Sequence, residues 1–142
     1  MKKLFASFIA VTALILLCAP QQAMADVKTK NEPMSQTPRL LDYSYFTGTI
    51  GNDMHITMYL EVYSSGEYIG WYYYNKNGSK NKLALVGAID DDGLVKLLEY
   101  NKDGVLTAGF EGTFNKKMEF VGIMYVVHSK KRYSCKLYPA NF

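Results

Sequence analysis

The sequence predicts an all-β fold, a single antiparallel meander of about eight strands that forms a closed or nearly closed small barrel. From Tyr43 onward, segments rich in Asn, Asp and Gly recur every 8 to 13 residues and supply turn chemistry, as in "GND", "SSGE", "NKNGSKN", "DDDG" and "NKDG". The runs between these turns are rich in Tyr, Val, Ile, Phe and Thr, which suit a pleated sheet. None of the runs has the 3.6-residue apolar period of a helix. Connections this short join antiparallel neighbours.

Alternation along the strands indicates which side chains face the interior. In "MHITMYLEV", every second residue from Met54 to Val62 is apolar. The same test assigns an inward direction to Leu83, Leu85, Ile89, Phe110, Phe114, Phe120, Met124, Tyr133, Cys135 and Leu137. Glycines recur on the same face, where they permit bends and close backbone approach, at Gly48, Gly70, Gly87, Gly112 and Gly122. A filled interior and eight strands favour a closed barrel over a two-sheet sandwich.

The first 25 residues have the features of a signal peptide. Lys2 and Lys3 precede an apolar run, and "AMA" at 23–25 offers the small residues at which signal peptidases cut. The run is too short for a membrane span. Cys18 raises the alternative of a lipoprotein, but Leu17 occupies the position where lipid attachment needs a small residue. We expect cleavage after Ala25, export to the periplasm or the extracellular space, and no membrane span afterwards.

Residues 26–41 are polar, contain two prolines and lack a period, which indicates a flexible linker before a barrel domain at 42–142. Loss of the signal peptide removes two of the 16 basic residues and no acidic one, leaving 14 basic and 13 acidic residues. Such balance argues against nucleic acid as a partner. Only Cys135 remains, so no internal disulfide can form.

The aromatic run "GEYIGWYYYNKNG" suggests a binding surface. If Gly70 faces inward, Trp71 and Tyr73 face outward, and Tyr59 is on the outward side of the preceding strand. We call Tyr59, Trp71 and Tyr73 the aromatic face. Exposed aromatic clusters favour contact with proteins or sugars. We therefore expect a non-catalytic binding protein whose protein or glycan partner contacts this face and the adjoining hairpin residues Ser65, Gly66 and Glu67. A homodimer partner or the chain ends are alternative covers for it.

The inward tyrosines suggest a second hypothesis, a small-ligand carrier that uses the barrel mouth. Tyr68, Tyr72 and Tyr74 share the side of Gly70, and Glu99 alternates with apolar residues that face inward. A buried carboxylate needs a partner, for which Tyr72, Arg132 or a backbone amide are candidates.

The sequence offers little evidence for catalysis or metal binding. The two histidines, His55 and His128, lie outside any nucleophile motif, and no His/Cys cluster has zinc spacing. "DDDG" at 90–93 lacks the spacing of a calcium loop and fits a hairpin turn. We expect no enzyme, no cofactor and no metal. A membrane barrel is the remaining alternative, but its lumen would be polar, whereas the inward face here is apolar.

Several hairpins resemble a class of small secreted bacterial barrel proteins. "YFTGTIG", "YIGWYYYNKNG", "LALVGAIDDDG", "LTAGFEGTF" and "FVGIMY" carry the resemblance, which covers about residues 45–137. It implies a lipocalin-like or avidin-like meander, in a class whose members mostly have no assigned function.

One segment is similar to a motif of periplasmic inhibitors of goose-type lysozyme. In "SGEYIGWYYY", Ser65, Gly66, Tyr68 and Tyr74 match the inhibitor pattern, while Glu67 stands in place of its arginine and Gly70 in place of its second serine. The similarity implies, as an alternative function, lysozyme inhibition by loop residues that enter the enzyme cleft.

Overall fold

The fold is an eight-stranded antiparallel meander closed into a barrel, as the sequence predicts. The computed structural model describes residues 37–142; the predicted signal peptide and residues 26–36 of the predicted linker lie outside the described residues. The strands are β1 Leu40–Ile50, β2 Met54–Tyr63, β3 Glu67–Tyr74, β4 Leu83–Ile89, β5 Val95–Tyr100, β6 Leu106–Phe114, β7 Phe120–Val126 and β8 Arg132–Ala140. Pairing of β1 with β8, from Tyr45 opposite Ala140 to Ile50 opposite Cys135, closes the barrel.

The first strand begins at Leu40, so it includes the last two residues of the predicted linker. The backbone N–H of Ser64 donates to the carbonyl of Arg39 over 2.8 Å, and the N–H of Arg39 donates to Ser64 Oγ over 2.9 Å. These bonds extend the pairing of β1 with β2 beyond a bulge between Leu40 and Asp42. Leu40 and Leu41 therefore belong to the barrel, because their backbone continues the sheet.

The core fills the interior of the barrel and includes most of the side chains predicted to face inward. Its largest fully buried members include Phe46, Tyr72, Phe110, Ile56, Met58, Leu85 and Leu137. Partly buried residues pack against it, among them Met54, Val62, Leu83, Phe114 and Tyr133. Ile89 is the exception, since it is 41% exposed. It is the last residue of β4, so it lies where the strand leaves the barrel for a turn.

The inward glycines lie where neighbouring strands approach most closely. A Cβ atom on Gly70 would overlap the carbonyl oxygen of Tyr59 on β2. Gly112 and Gly122 face each other across β6 and β7, and a Cβ on either would lie 2.7 Å from the Cα of the other. Only glycine fits at such contacts, which let the sheet curl into a barrel of this size.

Three hairpin turns share the same pattern of hydrogen bonds from backbone N–H groups to a side-chain oxygen. The side-chain oxygen of Asp90 accepts hydrogen bonds from the N–H groups of Asp92 and Leu94, and Asn101 and Asn115 repeat this pattern in their own turns. Asx turns of this kind stabilise tight reversals. "DDDG" thus forms a hairpin turn, in which Asp90 satisfies backbone donors.

Candidate functional site

The aromatic face is a row of packed rings on the outside of the barrel. The register places Tyr59 opposite Trp71, and Tyr73 follows two positions along β3. The ring centroids of Tyr59 and Trp71 are 5.5 Å apart with planes 24° apart, and those of Trp71 and Tyr73 are 6.0 Å apart at 18°. The three rings are therefore nearly parallel. Such offset arrangements are favourable between aromatic side chains.

The structure adds Tyr45 and Lys82 to this surface. Tyr45 on β1 lies opposite Tyr59, with ring centroids 4.8 Å apart, and its ring meets the edge of Trp71. The ammonium of Lys82 lies 3.6 Å from the centre of the Trp71 ring, in a cation–π contact that covers one face of the indole. The ring of Phe142 packs 5.5 Å from Tyr45, so the chain end covers part of the surface beside the aromatic face.

A carboxylate fixes the hydroxyl groups at one end of the aromatic face. Tyr63 and Tyr59 donate hydrogen bonds of 2.7 and 2.8 Å to the two oxygens of Glu61. These bonds favour the charged form of Glu61 and lower its pKa. Partial burial and the bond to Glu61 raise the pKa of Tyr59 to about 12. The hydrogen bond to Glu61 thereby orients the hydroxyl of Tyr59.

The side chains around the aromatic face are more apolar than is usual on the outside of a sheet. Ile69 and Val86 are paired across β3 and β4 and are 44% and 39% exposed. Leu98 is paired with Val86 on the next strand and is also exposed. The solvated side of an antiparallel sheet is normally polar. The half-buried aromatic rings and the exposed aliphatic side chains together thus form an apolar surface on the outside of the barrel.

The hairpin predicted to border this surface connects the end of β2 to the start of β3. Gly66 adopts a left-handed conformation with φ of 82°. The hydroxyl of Ser65 donates to the carboxylate of Glu67 over 2.8 Å. The hairpin is separated from Trp71 along β3 by Ile69, which is on the same outward side. Tyr59, Trp71 and Tyr73 make direct contact with one another, whereas Ser65, Gly66 and Glu67 form a separate group beyond Ile69.

The residues of the ligand-carrier hypothesis divide between a buried polar cluster and the packed core. Glu99 is 4% exposed and accepts hydrogen bonds from the hydroxyl of Tyr72, at 2.5 Å, and from the hydroxyl of Thr107. Tyr74 lies beside this cluster, with its hydroxyl 3.4 Å from that of Tyr72. Burial, with the nearby charge of Glu99, raises the pKa of Tyr72.

The prediction of hydrogen-bond partners for Glu99 is partly confirmed. Tyr72 fills this role, but Arg132 does not, because it is an outward residue whose guanidinium lies 5.9 Å from the Tyr125 ring. Thr107 was not anticipated. Tyr68 stands apart from the cluster, with its ring packed 6.4 Å from that of Phe114. The hydroxyls around Glu99 are thus engaged within the protein.

The remaining reactive side chains do not form a site within residues 37–142. His55 and His128 are exposed in turns or at a strand start. Burial raises the pKa of the Cys135 thiol to about 12, so that it is not a thiolate at neutral pH. No three metal-ligating side chains gather among the described residues.

Comparisons with known proteins give no relative for this chain. No protein-family model, no curated protein and no solved structure matches it. Within residues 37–142, none of the helical segments has the length and apolar character needed to cross a membrane.

Proposed function

We propose that this protein is an exported, non-catalytic binding protein that recognises a protein or glycan partner through its aromatic face. The observation that supports this function is the parallel packing of Tyr59, Trp71 and Tyr73 on the solvent side of the sheet. Tryptophan and tyrosine dominate the energetics of many interfaces. Because packing already restricts these rings, binding costs little side-chain entropy.

The apolar border adds to the free energy available for binding. Covering about 300 Å² of apolar surface contributes about 7.5 kcal/mol at about 25 cal/mol per Å², before the costs of association. That magnitude suits a specific interface whose core is the aromatic face and whose margin includes Ile69 and Val86.

A protein partner fits this surface better than a glycan does. Sugar rings stack on exposed aromatic faces, but Lys82 occupies one face of the Trp71 indole. The neighbouring aliphatic side chains Ile69 and Val86 are exposed and remain available to a protein. The Lys82 ammonium also offers a positive charge for a carboxylate of that partner.

Capture experiments with matched variants test the proposal. The protein is immobilised and exposed to envelope extract, to purified lysozymes of each class and to a glycan panel. We expect Trp71→Ala with Tyr73→Ala to retain the fold and to lose the partner that the wild type captures. Tyr138→Ala, which removes an exposed tyrosine from β8, serves as the control and should retain capture. Undiminished capture by the double variant would exclude the aromatic face as the site.

The single tryptophan of the chain provides an independent readout. Trp71 is the only tryptophan in the sequence, so its fluorescence reports directly on the aromatic face. A partner that covers this face should shift the emission, whereas one bound elsewhere should not. A lysozyme that is captured without a change in Trp71 emission, and is lost on Glu67→Ala, would instead favour the inhibitor alternative.

A further inference from the structure

The outer wall of the barrel contains a second feature, a hollow of about 270 Å³ over β5, β6 and β7. Its floor is Gly109, and the side chains of Leu98 and Tyr125 stand on either side of that glycine in the strand register. Ile123 completes the apolar part of the lining. The hollow is therefore a gap in the outward row of side chains, bounded mainly by apolar groups.

Gly109 differs from the other strand glycines in facing outward. The inward glycines would collide with backbone atoms of the neighbouring strand if they carried a Cβ, whereas a Cβ on Gly109 would lie 3.3 Å from the Leu97 carbonyl oxygen and 3.9 Å from Leu98 Cδ2. Close approach of the neighbouring strand thus explains why glycine is needed at positions 70 and 112 better than it explains glycine at position 109. The consequence of glycine at position 109 is the open space itself.

Most of the charged side chains at the hollow are positive. Lys96 and Arg132 line it, together with one carboxylate, that of Glu111, which is opposite Lys96 in the register. The Arg132 guanidinium lies 5.9 Å from the Tyr125 ring centre, and the Lys130 ammonium lies 6.0 Å from it. Two cations are therefore held close to one aromatic wall of an apolar depression.

We propose that this hollow binds a small aromatic acid, with the ring over Gly109 and the carboxylate toward Arg132. An apolar cavity of about 150 Å³ accommodates benzene, so the space here suits one ring with a short side chain. A carboxylate can form a bidentate, charge-assisted contact with a guanidinium, which a neutral group cannot. This site uses none of the residues of the aromatic face.

Nuclear magnetic resonance titration with a matched pair of probes tests the assignment. The ¹⁵N-labelled protein is titrated with 3-phenylpropionate and, separately, with the neutral 3-phenylpropan-1-ol. We expect the acid to shift the amide signals of Gly109, Leu98 and Tyr125, with an affinity about tenfold higher than that of the alcohol. Equal affinities, or shifts located elsewhere, would overturn the proposal.

Two variants and a control separate charge from shape. Arg132→Gln should reduce acid affinity about tenfold, to that of the alcohol, while Lys136→Gln, the same change of charge on the outside of β8, should leave the acid affinity unchanged. Gly109→Ala should weaken both probes by partly filling the hollow. Equal losses in Arg132→Gln and Lys136→Gln would show a nonspecific charge effect and refute the site. Thermal denaturation verifies folding, and the Arg132 comparison remains decisive if Gly109→Ala does not fold.

Discussion

The polar cluster inside the barrel makes a sharp prediction for Tyr72→Phe. This substitution removes one hydroxyl and leaves the ring, so packing against Phe110 is preserved. Glu99 then loses one of its two hydroxyl donors in a place where water has little access, since Tyr72 is fully buried and Glu99 is 4% exposed. The cost is the loss of hydrogen bonding to a buried carboxyl group.

The magnitude follows from the class of hydrogen bond. Bonds to charged groups contribute about 1.5 to 3 kcal/mol, and a buried acceptor without its donor costs a similar amount. For a domain of about 100 residues, about 2 kcal/mol corresponds to a fall of about 8 to 16 °C in Tm. Tyr72→Phe should therefore be among the more destabilising conservative substitutions in this barrel.

Tyr68→Phe provides the control. Tyr68 is also inward and 8% exposed, but its hydroxyl makes no side-chain hydrogen bond within residues 37–142, so its loss should change stability by less than about 0.5 kcal/mol. Urea and thermal denaturation followed by far-UV circular dichroism measure both variants. Equal stability of the two would refute the assigned role of the Tyr72–Glu99 bond. Adding both Glu99→Leu and Thr107→Val to Tyr72→Phe should recover stability, because the carboxyl group and both of its hydroxyl donors are then absent.

Three further outcomes follow from local geometry. The hydrogen bond from Tyr63 is the main cause of the lowered pKa of Glu61, so the stabilising effect of this carboxylate is present above its ordinary pKa of 4.5 and is lost as pH falls through the lower folded value. The difference in stability between wild type and Glu61→Gln should therefore disappear in acid, and a difference that stays constant with pH would contradict this. In the chain that begins at Asp26, the buried Cys135 thiol should resist Ellman's reagent in the native state and react in urea. Fast reaction in the native state would show an open core. Met118 has a φ of 59°, so Met118→Gly should stabilise the protein by about 0.5 to 1 kcal/mol in urea denaturation, and a loss would contradict the strain.

The fold could be predicted well because period-two alternation reports burial directly. Successive side chains along a strand point to opposite faces, so the alternating apolar residues from Met54 to Val62 defined the inward face of β2. The number of turn segments gave the number of strands. The same rule fails at element ends. Ile89 has the inward position but extends beyond the filled interior, and the pairing of Leu40 depends on bonds to a hairpin distant in the sequence.

The candidate site was harder to predict because it depends on contacts between strands. Trp71 and Tyr59 could be matched through one hairpin, but Tyr45 required the register of a second hairpin. Lys82 is the last residue of the irregular segment between β3 and β4, where no period indicates direction. Alternation could have excluded Arg132 as a partner of Glu99, since Tyr133 beside it is predicted to face inward and adjacent residues point to opposite faces.

The filled interior directs attention to the outer wall, where the two proposed sites are joined by exposed aliphatic side chains. Ile69, Val86 and Leu98 are paired in sequence across β3, β4 and β5 and lead from the margin of the aromatic face to the wall of the hollow. Adjacent strands are about 4.8 Å apart, so the three intervals from β3 to β6 span about 14 Å. These three of the eight strand intervals also turn about 135° around the closed barrel, so the aromatic face and the hollow point in different directions. A rigid protein centred on Trp71 therefore does not cover Gly109, and the hollow stays open to the small aromatic acid while that protein is bound.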